Sequence, residues 1–269
     1  MSLDEREPSG QEPGEAVPGE GEPGEGETLD HLCGGWRIFQ LRSGHRFSTD
    51  DLLTAWMASG AVPDAAHQLD LGAGIGSVGL LSLWRLPPTA RLTMIEAQAL
   101  SHGLARRTLA VNGLTERVTA RHGDLRDPAQ LPLSEHGSYP LVTGSPPYIP
   151  LGKGVVSSHP QRAGARMELL GDVFDYCRTA ALALAPEGRF ALCHAGADPR
   201  PEQAIAAAGL QLLARQDVFF RAGRPPTIAL FLCGWSGPRE DRPPVVIRDE
   251  EGQWTPQYLA IRREMGGPF

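Results

Sequence analysis

The chain has 269 residues, of which 41% are hydrophobic and 21% charged, a composition typical of folded globular proteins. The net charge of −7 arises near the start, because residues 1–30 contain ten acidic side chains and one arginine while the remainder carries a net +2. The longest apolar run, Thr227 to Trp235, is far shorter than the ~20 residues that cross a bilayer, which excludes a membrane-spanning helix. An acidic N-terminus is also unlike a signal peptide, so we expect a cytoplasmic protein.

The N-terminal 30 residues repeat Glu, Pro and Gly, a composition that buries too little apolar surface to offset the entropy of ordering. We therefore expect residues 1–30 to form a disordered acidic tail. Residues 31–62 predict a small N-terminal hairpin and helix. Trp36–Leu41 alternates as a strand does, residues 42–45 carry a turn signal, and a Ser-Thr pair offers a cap for a helix over residues 50–60.

Residues 63–235 alternate between strand, punctuated loop and helix, which predicts an α/β domain. Strands are expected at 67–71, 91–96, 117–121, 139–143, 189–194, 211–220 and 227–233. Helices are expected at 77–86, 99–111, 166–185 and 201–208. The predicted fold is Rossmann-like, a seven-stranded mostly parallel sheet with helices on both faces. Residues 236–269 are expected to pack on this domain as a C-terminal extension with a short strand and a closing helix.

Cysteine spacing gives no sign of a metal centre. Cys33, Cys177, Cys193 and Cys233 contain no C-x-x-C pair, and the last three lie in apolar runs. This pattern is typical of buried free thiols rather than of metal ligands. We therefore expect no metal site.

A glycine-rich loop follows the first strand of the α/β domain, with Asp70 before it and Gly72, Gly74 and Gly76 within it. Glycines let the backbone approach a ligand closely and turn into a helix whose N–H groups face that ligand. Residues 74–79 satisfy the G-x-G-x-x-G pattern of dinucleotide sites. The early start of the glycine run, and the position of Asp70 two residues before it, favour S-adenosylmethionine instead.

Two further acids follow strands that should end at the same edge of the sheet. Glu96 lies 20 residues after Gly76, a position suited to the two hydroxyls of a ribose in either ligand. Asp124, with Leu125 after it, is a candidate acceptor for the exocyclic amine of adenine. We expect these residues to line one crevice with the glycine loop.

Ser145-Pro146-Pro147-Tyr148 follows the fourth strand of the domain. Two prolines fix the loop and remove two donors, so its carbonyl groups are left to accept hydrogen bonds. An exocyclic amine is a poor nucleophile because its lone pair is delocalised into the ring. If the Ser145 hydroxyl oxygen and the Pro146 carbonyl accept hydrogen bonds from its two N–H groups, the nitrogen is drawn toward tetrahedral geometry. Tyr148 would stack on the base. A nicotinamide-dependent oxidoreductase, the alternative for the glycine loop, has no use for this motif.

In this order the motifs resemble those of class I amino-group methyltransferases: D-x-G-x-G-x-G, an acid, G-D and [N/D/S]-P-P-[Y/F]. Residues 47–56, F-S-T-D-D-L-L-T-A-W, resemble the G-T-D-x-x-L-L-x-A-W segment of the bacterial tRNA(Val) adenine-N6 methyltransferase family. The resemblance covers residues 32–260 and implies that Thr49 and Asp50 lie near the methionine end of S-adenosylmethionine. Ser145 departs from the family, which usually has Asn at this position.

The resemblance implies S-adenosylmethionine-dependent methylation of an exocyclic amino nitrogen, with adenine N6 in tRNA as the first choice. Ser145 leaves open a DNA amino group and a cofactor-binding protein without catalysis. A protein glutamine also stays open, because the related glutamine methyltransferases of release factors share the N-P-P-Y motif. A basic segment after the loop, Lys153, Arg162 and Arg166, is expected to contact the nucleic acid together with Tyr148. We expect a monomer or a weak homodimer.

Overall fold

The structure, a computed structural model, describes residues 21–150, 152 and 157–267. It begins with an antiparallel hairpin of β1 (Glu27–Cys33) and β2 (Trp36–Leu41). The hairpin turn is Gly34-Gly35, where Gly34 has φ +51°, a conformation that glycine adopts without strain. The expected hairpin turn at residues 42–45 is therefore wrong, because this segment leads from β2 into the first helix.

The boundary expected for the acidic tail is also wrong, since Glu27–Asp30 belong to β1. The carboxylate oxygens of Glu27 accept hydrogen bonds of 2.7 and 2.8 Å from Arg107, and the strand pairs along its length with β2. These tertiary contacts order a segment whose composition alone does not. Residues 1–20 of the predicted tail lie outside the described residues.

The central sheet has the predicted mostly parallel arrangement. Its long strands are β3 (His67–Leu71), β4 (Arg91–Glu96), β5 (Val118–His122), β6 (Tyr139–Gly144), β7 (Leu184–Ala195), β8 (Gln211–Phe219) and β9 (Ile228–Gly234). They lie in the order β8-β9-β7-β6-β3-β4-β5, and β9 runs antiparallel to both neighbours. Two short strands, β10 (Glu240–Asp241) and β11 (Val245–Val246), extend the sheet beside β8. The strand expected in the C-terminal extension is thus confirmed.

Helices cover both faces of the sheet. They are α1 (Thr49–Ala61), α2 (Ser77–Arg85), α3 (Ala99–Val111), α4 (Pro160–Arg166), α5 (Val173–Ala183), α6 (Arg200–Ala207) and α7 (Pro256–Glu264). Successive strand residues point to opposite faces, so Leu141 joins the core beneath α1, α2 and α3, while Val142 joins the core beneath α5 and α6. Among the described helices, none combines the length and apolar character needed to cross a membrane.

The single helix expected over residues 166–185 is wrong. α4 ends at Arg166, and α5 begins only after Asp172, whose carboxylate accepts hydrogen bonds from the backbone N–H groups of Phe174 and Asp175 at 2.9 and 3.1 Å. Gly171, at φ +125°, is far from helical geometry. The break separates α4 from α5, and residues of both helices line the cavity at the edge of the sheet.

Candidate active site

A cavity of about 620 Å³ opens at the C-terminal ends of β3, β4, β5 and β6. Ligands bind at this edge in open α/β sheets, and the volume suits a nucleoside-sized ligand. The N-terminus of α1, the end of α4 and part of α5 complete the wall. The predicted site residues that line it are Thr49, Asp50, Asp70, Gly72, Gly74, Glu96, Leu125, Ser145, Pro146, Pro147, Tyr148, Arg162 and Arg166. Tertiary structure therefore gathers most of the residues predicted from separate stretches of sequence.

The glycine loop has a different requirement at each of its three positions. A Cβ atom at Gly72 would lie 1.8 Å from the Tyr176 hydroxyl, so only glycine fits beneath this ring. A Cβ at Gly74 would meet nothing within 4 Å, which leaves this part of the loop open toward the cavity. Gly76 caps α2 at φ +91° beneath Met94 and does not line the cavity.

Asp70 lines the cavity and also organises the loop around it. Its two carboxylate oxygens accept hydrogen bonds from the Thr143 hydroxyl at 2.7 Å and from the Gly79 N–H at 3.0 Å. Burial raises the pKa of Asp70 to about 6, against the opposing effect of these two donors. Asp70 thereby joins β3 to β6 and holds the first turns of α2.

Glu96, at the end of β4, accepts hydrogen bonds from the backbone N–H groups of Gly74 and Gln98, both at 2.7 Å. Its side chain is buried, and this burial raises its pKa. Each carboxylate oxygen has a second lone pair, so the two can still accept from a vicinal diol. The two backbone bonds fix the orientation of the carboxylate.

Asp124 is not brought to the cavity wall, although its neighbours Gly123 and Leu125 are. Its carboxylate pairs with Arg126, with a closest contact of 2.5 Å, and the Arg126 hydrogen bonds lower the Asp124 pKa. The position after β5 therefore contributes a leucine side chain to the cavity rather than the predicted carboxylate.

The N-terminus of α1 adds two more carboxylates, Asp50 and Asp51, to the wall. Asp51 accepts a 2.8 Å hydrogen bond from the backbone N–H of Ser48, the N-cap residue, which confirms the predicted position of the helix start. Burial, followed by the charge of Asp50, raises the Asp51 pKa well above its usual value. Thr49 lies beside them, with its hydroxyl 3.2 Å from that of Tyr258 in α7.

The Ser-Pro-Pro-Tyr loop faces these carboxylates from the end of β6. The Ser145 hydroxyl oxygen lies 3.0 Å from the sulfur of Cys193, and the Tyr148 hydroxyl lies 2.8 Å from the same sulfur. Tyr148 also donates to Asp50 at 3.2 Å. Its ring lies 5.0 Å from that of His194, with the planes tilted by 58°. Tyr148 is therefore held at both its ring and its hydroxyl.

The basic side of the cavity is formed by α4 and the loop before α1. Arg162 donates to the carbonyl of Gly44 at 3.1 Å, and Arg166 is exposed at the cavity wall. Burial lowers the pKa of His45, the charge of Asp50 opposes this, and the two arginines lower it further. Lys153, the third predicted basic residue, lies outside the described residues.

The residues not predicted for the site include Asp51, Tyr176 and Phe220, which line the cavity, and Cys193, which contacts Ser145 and Tyr148 from behind. Asp51 had a signal, since it follows Asp50 at a helix N-terminus. Cys193 and Tyr176 have none, because β7 and α5 are distant from the motifs in sequence. Phe220 follows β8 and is 40% exposed while lining the cavity.

Comparison with known proteins agrees with this geometry. Residues 49–149 match the family described as Methyltransferase small domain. The chain is 30% identical over 151 residues to the tRNA1(Val) (adenine(37)-N6)-methyltransferase of Porphyromonas gingivalis, in an alignment covering 55% of this chain and 57% of that protein. It is 27% identical over 222 residues to the Aeromonas hydrophila protein of the same name, covering 82% of this chain and 89% of the relative. A predicted O-methyltransferase from Agrobacterium tumefaciens, known from its crystal structure, shares the fold with a TM-score of 0.60 at 21% identity, covering 82% of this chain and 98% of its own.

The fold and the matched domain are those of class I S-adenosylmethionine-dependent methyltransferases. Within that class, residues 49–149 match the methyltransferase small domain, and the similarity of the chain to bacterial tRNA1(Val) adenine-N6 methyltransferases is confirmed. A nicotinamide-dependent oxidoreductase, which the glycine pattern also allowed, does not agree with this class.

The charges of the cavity fit this cofactor. S-Adenosylmethionine carries an ammonium and a sulfonium, and the wall presents three clustered carboxylates, Asp50, Asp51 and Asp70. Glu96 and the open backbone at Gly74 lie on another part of the wall, as a ribose and its neighbouring groups require. The described residues contain no group of His, Cys, Asp and Glu that could hold a metal ion.

Proposed function

We propose that this protein methylates the N6 amino group of adenine in tRNA. The observation that carries the proposal is the position of Ser145 and Tyr148 in the same cavity as the carboxylates and the glycine loop. The names of its relatives from Porphyromonas gingivalis and Aeromonas hydrophila support the choice of base and of RNA.

The acceptor end of the cavity works by positioning. S-Adenosylmethionine supplies an electrophilic methyl group when bound. The Ser145 hydroxyl oxygen and the Pro146 carbonyl accept hydrogen bonds from the two N–H groups of the exocyclic amine. These hydrogen bonds withdraw the nitrogen lone pair from the ring and direct it outward. Tyr148, held by Asp50 and by contact with His194, provides a fixed surface on which the flipped base stacks.

The cofactor end is proposed to divide its ligand among three elements. Glu96 accepts from the ribose hydroxyls, since two backbone N–H groups already orient its carboxylate. Asp50 at the start of α1 and Asp70 at the end of β3 attract the cationic methionine end, with Thr49 beside them. Leu125 packs against the adenine, while Asp124 reaches its amine only if the pair with Arg126 opens.

Arg162 and Arg166 are proposed to contact phosphates of the RNA strand that carries the acceptor base. Both lie on the same side of the cavity as the loop before α1, and Arg166 is exposed. Such contacts add affinity that depends on salt and carries no sequence information. Lys153 is proposed to extend this basic side.

The test is labelled-methyl transfer from S-adenosylmethionine to unmodified tRNA, followed by mass spectrometry of the nucleosides. Label in N6-methyladenosine of tRNA supports the proposal. Duplex DNA and a glutamine-containing protein acceptor are offered in parallel, and label found only in these contradicts it. Transfer to none of them, by a protein that binds the cofactor, would instead indicate a binding role. Tyr148→Phe serves as a matched variant that keeps the stacking ring.

A further inference from the structure

Cys193 is a buried thiol that contacts both polar side chains of the Ser-Pro-Pro-Tyr loop. It lies on β7 with no exposed surface, 3.0 Å from the Ser145 hydroxyl oxygen and 2.8 Å from the Tyr148 hydroxyl. The hydroxyl of Thr54 in α1 also lies within hydrogen-bonding reach of the sulfur. One thiol therefore connects α1 to both ends of the loop.

The directions of these hydrogen bonds follow from the number of protons available. A carboxylate accepts and does not donate, so the single proton of Tyr148 is directed to Asp50. Thr54 donates its proton to the backbone carbonyl of Asp50 at 2.8 Å. Both hydroxyl oxygens are then left as acceptors for the thiol proton of Cys193.

The thiol keeps that proton at neutral pH, because burial, followed by the charge of Asp50, raises the Cys193 pKa to about 12. If the thiol proton is directed to Tyr148 or Thr54, the sulfur accepts from Ser145. The Ser145 proton is then engaged in the hydrogen bond to the sulfur, so the hydroxyl oxygen can only accept a hydrogen bond from a ligand.

This orientation matters for an amine acceptor. A serine hydroxyl rotates freely and can present either its proton or its lone pairs. If it presented the proton, it would donate to the amine nitrogen and occupy the electron pair that must attack the methyl group. If it presents lone pairs, it accepts an N–H proton and leaves that electron pair free.

We propose that Cys193 is a positioning residue that holds the Ser145 hydroxyl as a hydrogen-bond acceptor for the substrate amine. The inference rests on the amino-methylation proposed above. It also gives a physical reason for serine at a position where the related family usually has asparagine. A serine hydroxyl can either donate or accept a hydrogen bond, and donation to the Cys193 sulfur leaves it only as an acceptor for the substrate.

The kinetic test compares Cys193→Ala with Cys193→Ser, and uses Cys233→Ala, a buried thiol on β9, as the matched control. Cys193→Ala should lower kcat for tRNA methylation about tenfold, the scale of one neutral hydrogen bond, with KM for tRNA and Kd for S-adenosylmethionine changed by less than about twofold. Cys193→Ser should recover most of this kcat, and Cys233→Ala should leave it unchanged. An unchanged kcat in Cys193→Ala, an equal loss in Cys193→Ser, or a parallel loss of cofactor affinity would overturn the proposal.

A second measurement does not depend on the activity. The S–H stretching band of Cys193 is assigned in the infrared by its loss in Cys193→Ala, and is then recorded in Ser145→Ala. If the sulfur accepts from Ser145, the band should move little; movement to the frequency of a free thiol would show that Cys193 donates to Ser145, and would refute the proposed direction. Absence of tRNA methylation by the unsubstituted protein would count against the proposed function, while leaving this measurement to judge the hydrogen bond.

Discussion

Replacement of Asp70 by Asn tests the energetics of the cavity most directly. The substitution keeps the size of the side chain and removes its charge. Its carbonyl oxygen can accept from the Gly79 N–H, and its amide can donate to the Thr143 hydroxyl oxygen, which is also an acceptor. The fold should therefore be retained while the titration of this site disappears.

The size of the effect follows from the pKa of Asp70, which burial raises from 3.8 to about 6. Because the folded chain binds this proton more tightly than the unfolded chain, the contribution of Asp70 to stability is complete below about pH 4 and is lost as the pH rises through about 6. The difference between these two pKa values, at 1.36 kcal/mol for each tenfold change in proton affinity, corresponds to about 3 kcal/mol. The unsubstituted protein should lose this amount across the window, and Asp70→Asn should not.

Urea unfolding from about pH 4 to about pH 7 measures the difference between the two profiles. Asp51 and Glu96, whose pKa values burial also raises, contribute in the same direction in both proteins, and because their charges interact with that of Asp70 their contributions cancel only in part. Asp124→Asn is a control of opposite sign, since its bond to Arg126 lowers the pKa and its small contribution is lost as the pH falls. Parallel profiles for the unsubstituted protein and Asp70→Asn would refute the assignment.

The remaining variants separate the two ends of the cavity. Tyr148→Ala should lower kcat/KM for tRNA by the equivalent of about 1–3 kcal/mol, the value of one stacked base, with cofactor affinity nearly intact by calorimetry; equal losses of both would contradict the stacking role. Glu96→Ala should do the reverse, weakening S-adenosylmethionine by about 1.5–3 kcal/mol per lost charged hydrogen bond, and an unchanged Kd would rule out the ribose contact. Arg166→Ala should weaken tRNA binding uniformly and reduce its salt slope by about one, measured by titration across ionic strength; a slope equal to that of the unsubstituted protein would exclude a phosphate contact.

The order of elements in the main domain was predictable because each element has its own periodicity. Short apolar runs that end in glycines or acids indicated the strands of a mostly parallel sheet, and the structure confirms these strands as β3 to β9, with β9 antiparallel to its neighbours. The ends of the elements were harder to predict, because the local sequence patterns of helix and loop overlap there. Asp172 and Gly171 break what reads as one apolar helix over 166–185, and the capping bonds that decide this become visible only when the backbone is folded.

The residues of the site likewise separate into those that were predicted from the sequence and those that were not. The loops that carry chemistry were predictable from sequence, because parallel strands end at one edge of the sheet and the glycine- and proline-containing loops that follow them must meet there. Glu96, Asp70 and the Ser145–Tyr148 loop line the cavity for that reason.

The partners of these residues were not predicted. Asp124 pairs with Arg126, a cation two residues further along the chain, instead of facing the cavity, and two other partners come from distant parts of the chain. Tyr176, in α5, lies over Gly72. Cys193, in β7, contacts Ser145 and Tyr148. Sequence spacing carries no information on these two contacts, because they depend on how elements that are distant in the chain pack together, as where β6 and β7 pair Leu141 with Arg189. The state of the Ser145 hydroxyl, on which the proposed chemistry depends, is set by one of these contacts.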